Sequence, residues 1–283
     1  MPAPKANHIY TGDCLKVMRS WPDASVDHCI ADPPFNIGSG RGRQGKRGLG
    51  WAFSSHVTMQ EAWDQFGEDE YFNFTVDWLR EVCRVVKPNG NILVFGTYHN
   101  IYLLGFVLGH LLDRRILNSI VWFKPNAQPN ITARTLTEST EHVIWAVNET
   151  PKRAKGWTFK YWDAKEMNGG KQMRNVWEFS VTSKSERVNG AHPSQKPLAL
   201  VERLVQLTSE PEDHVLDPFG GAGTLAVAAQ RHRRRWTLVE SVAEYAALAR
   251  RRLEAEDQPP PKSRRAPYKA SQPRSKRTKR VTT

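Results

Sequence analysis

Apolar positions along the chain fall into two alternating patterns. Short apolar runs over 8–10, 27–31, 91–95, 119–123, 142–147, 214–216 and 236–239 predict strands. Several are almost uninterrupted, as expected where a sheet is covered on both faces. Between them, apolar residues recur at helical spacing: a helix beginning near Cys14, then helices over 71–86, 101–112, 197–207, 224–231 and 243–253. Lys87-Pro88-Asn89-Gly90 supplies a stop for the second helix. Seven strands alternating mostly with helices predict an α/β protein built on a doubly wound, mostly parallel sheet.

Three stretches escape this rhythm. Residues 37–50 hold six glycines and four cations, Arg41, Arg43, Lys46 and Arg47, and predict a mobile basic loop within 36–66. Residues 149–191 lack sustained periodicity but carry nine Lys or Arg, interleaved with Trp157, Phe159, Tyr161 and Trp162. Such a mixture suits nucleic acid, with charge for phosphate and rings for bases or sugars; a surface insertion with a small private core is the competing expectation. From 258 to the end there are nine Lys or Arg and no acid, so most of the net charge of +12 lies there. Residues 255–283 therefore predict a disordered basic tail that neutralises phosphates without reading sequence, or only solubilises the chain.

With 283 residues, 39% of them hydrophobic, the chain can bury a substantial core in one mixed domain, predicted over 8–254. Residues 1–7 do not resemble a signal peptide, and no apolar run approaches the roughly 20 residues of a spanning helix, so a soluble protein with no membrane partner is expected. Cys14, Cys29 and Cys83 have neither the spacing of a zinc site nor the density of a disulfide scaffold; reduced thiols and no metal are expected.

The candidate chemistry sits where two predicted strands end. Asp32-Pro33-Pro34-Phe35 follows the strand over 27–31. Each proline removes a backbone donor, and Pro34 keeps Pro33 extended, so the turn is stiff and offers carbonyl acceptors beside an acceptor-only carboxylate. An exocyclic amine on a nucleobase would donate to that set while its ring stacked on Phe35. An Asp that merely caps a turn is the plainer alternative.

The second constellation, Asp217-Pro218-Phe219-Gly220-Gly221-Ala222-Gly223-Thr224, lies between a strand and a helix, and Glu240 ends the next strand. Glycines let backbone approach a ligand, the helix start offers free N–H groups, and an acid at that distance suits ribose hydroxyls. The glycine spacing is not G-x-G-x-x-G, which disfavours NAD and leaves an adenosine-containing cofactor of another kind.

Taken together, these motifs resemble those of the DNA amino-methyltransferases, which methylate the exocyclic nitrogen of adenine or cytosine with S-adenosylmethionine. Asp32-Pro33-Pro34-Phe35 is similar to the family's catalytic motif, and Asp217 to Thr224 is similar to its cofactor motif. Their order resembles the circularly permuted β group, so the resemblance implies a Rossmann-like methyltransferase sheet with permuted motif order. It implies Asp32, Pro33, Pro34 and Phe35 as catalytic residues acting on a flipped base. For the cofactor it implies Asp32, Asp217, Phe219, Gly220, Gly221, Gly223, Thr224 and Glu240. Asp13, with Cys14 beside it, would meet the cofactor's adenine, and Ser194 and Lys196 of His192-Pro193-Ser194-Gln195-Lys196-Pro197 would lie near its methionine portion. Read without the resemblance, His192 is an ordinary loop histidine.

Double-stranded DNA is the implied partner, with Arg41, Arg43, Lys46, Arg47, Lys171 and Arg174 as candidate contacts and a nucleoid-associated, cytoplasmic location. A homodimer and a cognate restriction enzyme stay open. The initial Asp favours adenine N6 over cytosine N4. A non-catalytic nucleic-acid-binding protein on a methyltransferase scaffold is the alternative from another class.

Overall fold

The computed structural model describes residues 1–37, 64, 66–130, 134–190 and 192–256. Arg41, Arg43, Lys46 and Arg47, most of the predicted basic loop and the tail from 257 lie outside the described residues. Eight strands are described: β1 (His8–Thr11), β2 (His28–Ala31), β3 (Asn91–Gly96), β4 (Arg115–Phe123), β5 (Thr140–Val147), β6 (Val176–Glu178), β7 (His214–Asp217) and β8 (Arg235–Glu240). They form one sheet in the order β1-β8-β7-β2-β3-β5-β4-β6. Only β5 runs against the rest, pairing antiparallel with both β3 and β4. The seven predicted strands are all present, and β6 is an eighth, parallel to β4 at the sheet edge.

Seven α-helices are found among the described residues: α1 (Cys14–Met18), α2 (Glu68–Val85), α3 (Ile101–Phe106), α4 (Tyr161–Met167), α5 (Leu198–Thr208), α6 (Thr224–Arg231) and α7 (Ala243–Glu256). Glu68, Asp69 and Glu70 complement the positive end of α2, and its residues Tyr71, Trp78, Leu79, Val82 and Val85 are buried. The helix predicted over 101–112 divides, because after Phe106 it widens into a π-helical turn over Val107–Leu111. No described helix is long and apolar enough to cross a membrane.

Covering both faces explains the uninterrupted apolar runs. In β3, Leu93 and Phe95 join a core with Leu200 and Leu204 of α5 and Ala226 of α6. Their neighbours Ile92 and Val94 face the opposite core, with Met18, Trp21, Trp78, Leu79 and Leu104. Period-two alternation thus feeds two helical layers from one strand.

Residues 149–190 do not form a private core. Trp177 and Ala164 are buried within the same core as α5, where Trp157, Met173 and Phe179 also pack. Asn91 anchors the start of this region: its Nδ2 donates to Thr158 O at 2.9 Å and Thr208 O at 2.7 Å, while its Oδ1 accepts from Trp145 Nε1 at 2.8 Å. A buried amide with these partners satisfied locks the insert to β3 and α5.

Connectivity places the site. From β7 the chain crosses by α6 to β8, on one side; from β2 it crosses by α2 to β3, on the other. β7 and β2 are neighbours, with Cys29 opposite Leu216. Their connections diverge at the carboxyl edge, which opens a crevice there.

Candidate active site

The glycine half of the crevice is fixed largely by its own backbone. Gly220 N–H donates to Val239 O and Gly223 N–H to Gly220 O, each at 2.8 Å. Gly221 has φ 48° and donates its N–H to Glu240 Oε2 at 2.7 Å. Glu240 Oε1 accepts from Val242 N–H at 2.8 Å, so this carboxylate ties the turn to the end of β8. Asp217 Oδ1 accepts from Phe219 N–H at 2.9 Å. Burial holds Asp217 well above the usual carboxylate range, against the Phe219 hydrogen bond and with the Asp32 and Glu240 charges adding to the rise.

The proline half depends on other elements. Asp32 Oδ2 accepts from Lys196 Nζ at 2.7 Å, whereas Oδ1 is buried with no hydrogen-bond partner among the described residues. Burial pushes Asp32 up to about 6; Lys196 opposes the rise, and Glu141 and Asp64 reinforce it. Pro34 O accepts from the Tyr71 hydroxyl at 2.7 Å, which accepts in turn from Asn100 Nδ2 at 3.1 Å. Asn36, at φ 56°, ends the turn, and buried Asp64 accepts its N–H at 2.7 Å and that of Ile37 at 2.9 Å. Phe35 is buried, with Lys196 Nζ 4.9 Å from its ring centroid.

Both halves open on one cavity of about 260 Å³. Asp13, Cys14, Asp32, Ser194, Lys196, Asp217, Phe219, Gly220, Gly221, Thr224 and Glu240 all line it, as does Pro34, whereas Pro33 and Phe35 do not. Gly223 does not line it. Gly223 starts α6 at φ 76°, where a Cβ would stand 2.8 Å from Ala249 Cβ, so close packing of α6 on α7 is what requires glycine. Asp13 also caps α1, its Oδ1 accepting from Lys16 N–H at 2.9 Å. Burial pushes the Cys14 thiol up to about 12, so it is an inert wall.

Other wall residues carry weaker signals in the sequence. Phe66 stacks on Phe74 at 4.9 Å, Phe74 meets Phe219 edge-on at 6.1 Å, and Trp78 meets Phe219 at 5.1 Å. Tyr71, Phe74 and Trp78 share one stripe of α2, and that spacing is the available signal. His192 is buried beneath Gly221 and beside Tyr245, at 4.3 Å between rings. Burial, with Lys196 and Arg252 adding, pushes it down to about 3, so it is a neutral wall residue.

A family model described as DNA methylase, of the N6/N4 type, matches residues 26–251. The chain belongs to this DNA methylase family. The Type II methyltransferase M2.DpnII of Streptococcus pneumoniae is 37% identical over 248 residues, 87% of this chain and 89% of that protein. A crystal structure of M1.HpyAVI in complex with S-adenosylmethionine superposes with a TM-score of 0.64 at 26% identity, covering 87% of this chain and 98% of that one. PvuII DNA methyltransferase, cytosine-N4-specific, shares the fold with a TM-score of 0.67 at 20% identity, covering 88% of this chain and 87% of its own.

On this DNA methyltransferase the remaining predicted DNA contacts lie away from the crevice. Lys171 and Arg174 are exposed and, with Met167, Trp177 and Arg203, line a separate pocket of about 450 Å³. Trp162 is 72% exposed beneath Lys165 Nζ at 5.4 Å, so α4 presents both charge and an open ring.

Proposed function

We propose that this DNA methyltransferase transfers a methyl group to the exocyclic N6 of adenine in double-stranded DNA, acting on a base flipped into the crevice. S-adenosylmethionine is the methyl donor and supplies, when bound, an electrophilic sulfonium methyl. The observation that carries the reading is Asp32 Oδ1, a buried acceptor without a partner among the described residues, on a turn whose prolines offer carbonyls and no N–H. An amino group fills that arrangement, because it donates; a keto oxygen there would face only acceptors.

The residues of the glycine half fit an adenosine-containing group. Gly220 and Gly221 bring backbone to the cavity wall. Each Glu240 oxygen keeps acceptor capacity beyond its backbone hydrogen bond, which suits ribose hydroxyls, and Asp13, on the same cavity wall, would accept from an adenine amine. Asp32, with a proline carbonyl, would hold the target amine with its lone pair directed at the methyl group. The contribution of these residues is position and electrostatics, and no covalent enzyme intermediate is needed.

Adenine rather than cytosine rests on the Asp that begins the motif. Mass spectrometry of nucleosides from DNA incubated with enzyme and labelled S-adenosylmethionine tests it. N6-methyldeoxyadenosine is expected; N4-methyldeoxycytidine would move the assignment to the other base, and an unlabelled digest would overturn the activity.

A further inference from the structure

Lys196 already lies against both groups assigned to the incoming base, on Asp32 Oδ2 and not on the free Oδ1. Its ammonium is 2.7 Å from Asp32 Oδ2 and 4.9 Å from the Phe35 ring centroid, and its side chain is only 6% exposed. On its other side, Glu141 Oε2 stands 3.5 Å away with no hydrogen bond among the described residues. The antiparallel sense of β5 explains this: its first residues lie beside the end of β3, with His142 opposite Gly96, at the crevice edge. Period-two alternation puts Glu141 on the same face as Val143 and Trp145, towards α5. Glu141 Oε1 is itself paired with Lys124 Nζ at 3.3 Å. Four charges of alternating sign, Lys124, Glu141, Lys196 and Asp32, therefore run from the end of β4 to the proline turn.

We propose that Lys196 and Glu141 are a positioning pair: the ammonium keeps Asp32 able to accept a hydrogen bond, and moves towards Glu141 when the target amine docks on Asp32. This rests on the reading of Asp32 as the amine acceptor. Asp32 Oδ1 is buried without a hydrogen-bond partner among the described residues, Glu141 Oε2 is ion-paired with the ammonium at 3.5 Å, and of the three ammonium donors one is on Ser194 O at 3.3 Å, which leaves two to share between the carboxylates. A short swing from one partner to the other would clear Asp32 and the Phe35 face without leaving a bare charge in the interior.

The charged groups facing this pair come from several elements. Asp32 meets Lys196 before α5, Glu141 of β5, Asp64 beyond the turn and Asp217 of β7. Lys196 also lies near His192, which burial keeps neutral, and Glu141 lies near Glu138. Burial, with Glu141 and Asp64 nearby, favours a protonated Asp32, and Lys196 is the cation that opposes it. A protonated carboxyl would point a donor at the amine.

The test is the acid limb of kcat, measured at saturating DNA and S-adenosylmethionine for the full-length wild type, Lys196→Met, Lys196→Arg and Glu141→Gln. Losing the cation should move the limb to higher pH by about one unit or more, and Lys196→Arg should restore it in part. Losing the Glu141 charge should move it the opposite way and weaken base capture, read as lower 2-aminopurine fluorescence with that base at the target position. Limbs that stay with the wild type, or move in the same direction, overturn the pair. If Lys196→Met does not fold, Glu141→Gln decides, since an unmoved or raised limb is enough to reject it. Asp32→Ala separates the two claims: transfer retained there defeats the acceptor reading, whereas transfer lost with unmoved limbs defeats only the pair.

Discussion

The glycine turn and the proline turn meet at one cavity but are built by opposite means. Residues 217–224 hold themselves for the most part: the turn's N–H groups donate within the turn or to the adjacent end of β8, positive φ values at Gly221 and Gly223 supply the shape, and the support from farther off is Arg252 of α7, which donates to Ala222 O at 2.5 Å and Thr224 Oγ1 at 3.1 Å. Residues 32–36 have few donors of their own, and their carbonyl and chain direction are held by Tyr71 of α2, Asn100 before α3 and Asp64. The cofactor half is therefore local, whereas the base half is supported at a distance. Damage to remote residues should fall on methyl transfer and spare cofactor binding.

The largest test of this asymmetry is Asp32→Ala. It should lower kcat by at least the 10²–10³-fold typical of losing one preorganised hydrogen-bonding group, while S-adenosylmethionine binding by calorimetry stays measurable. Gly223→Ala inverts the pattern. With φ 76° and a Cβ 2.8 Å from Ala249, it should lose about 1–3 kcal/mol of stability, read as a fall in the unfolding midpoint.

Tyr71→Phe removes one hydrogen bond to Pro34 O and should cost about 1 kcal/mol, seen as a roughly fivefold lower kcat with unchanged cofactor affinity. Equal losses in both quantities would abolish the distinction between the halves. The smallest effect belongs to the insert. Lys171→Ala or Arg174→Ala should each reduce the salt slope of DNA binding by about one, uniformly across DNA sequences, and an unchanged slope would remove that residue from the interface.

The same asymmetry decides what was legible in the sequence. Gly220, Gly221 and Pro34 announce their backbone geometry through residue type, and strand ends are marked by apolar runs, so most predicted cofactor residues share one cavity. Gly223 shows the limit: glycine type signals a tight place, but not whether a ligand or a helix fills it. Tyr71, Asn100, Asp64 and Glu141 act through contacts between distant segments; periodicity gives the face on which Tyr71 and Glu141 stand, but not the partner that any of the four meets. β6 has three residues and α4 seven, too few for a pattern to emerge, and the face of 149–190 that joins the main core could not be assigned from spacing. β4 begins at Arg115, ahead of its predicted start, because its first residues alternate in exposure and carry a register shift between Ile116 and Asn118.

The edge position of β1 has a consequence for how the protein is made. β1 hydrogen-bonds to β8 alone, with Thr11 opposite Glu240, and β8 stands between β1 and β7. During synthesis from the N-terminus, β2, β3, β5 and β4 can assemble as soon as they emerge, but His8–Thr11 has no sheet partner until residues 235–240 have left the ribosome. Asp13, two residues beyond β1, therefore reaches the crevice among the last of its walls, although it is translated long before β8. Pairing of such wide sequence separation folds slowly. A nascent chain stalled before β8 would hold a finished proline turn and no cofactor site, and its unpaired first strand would be open to other partners.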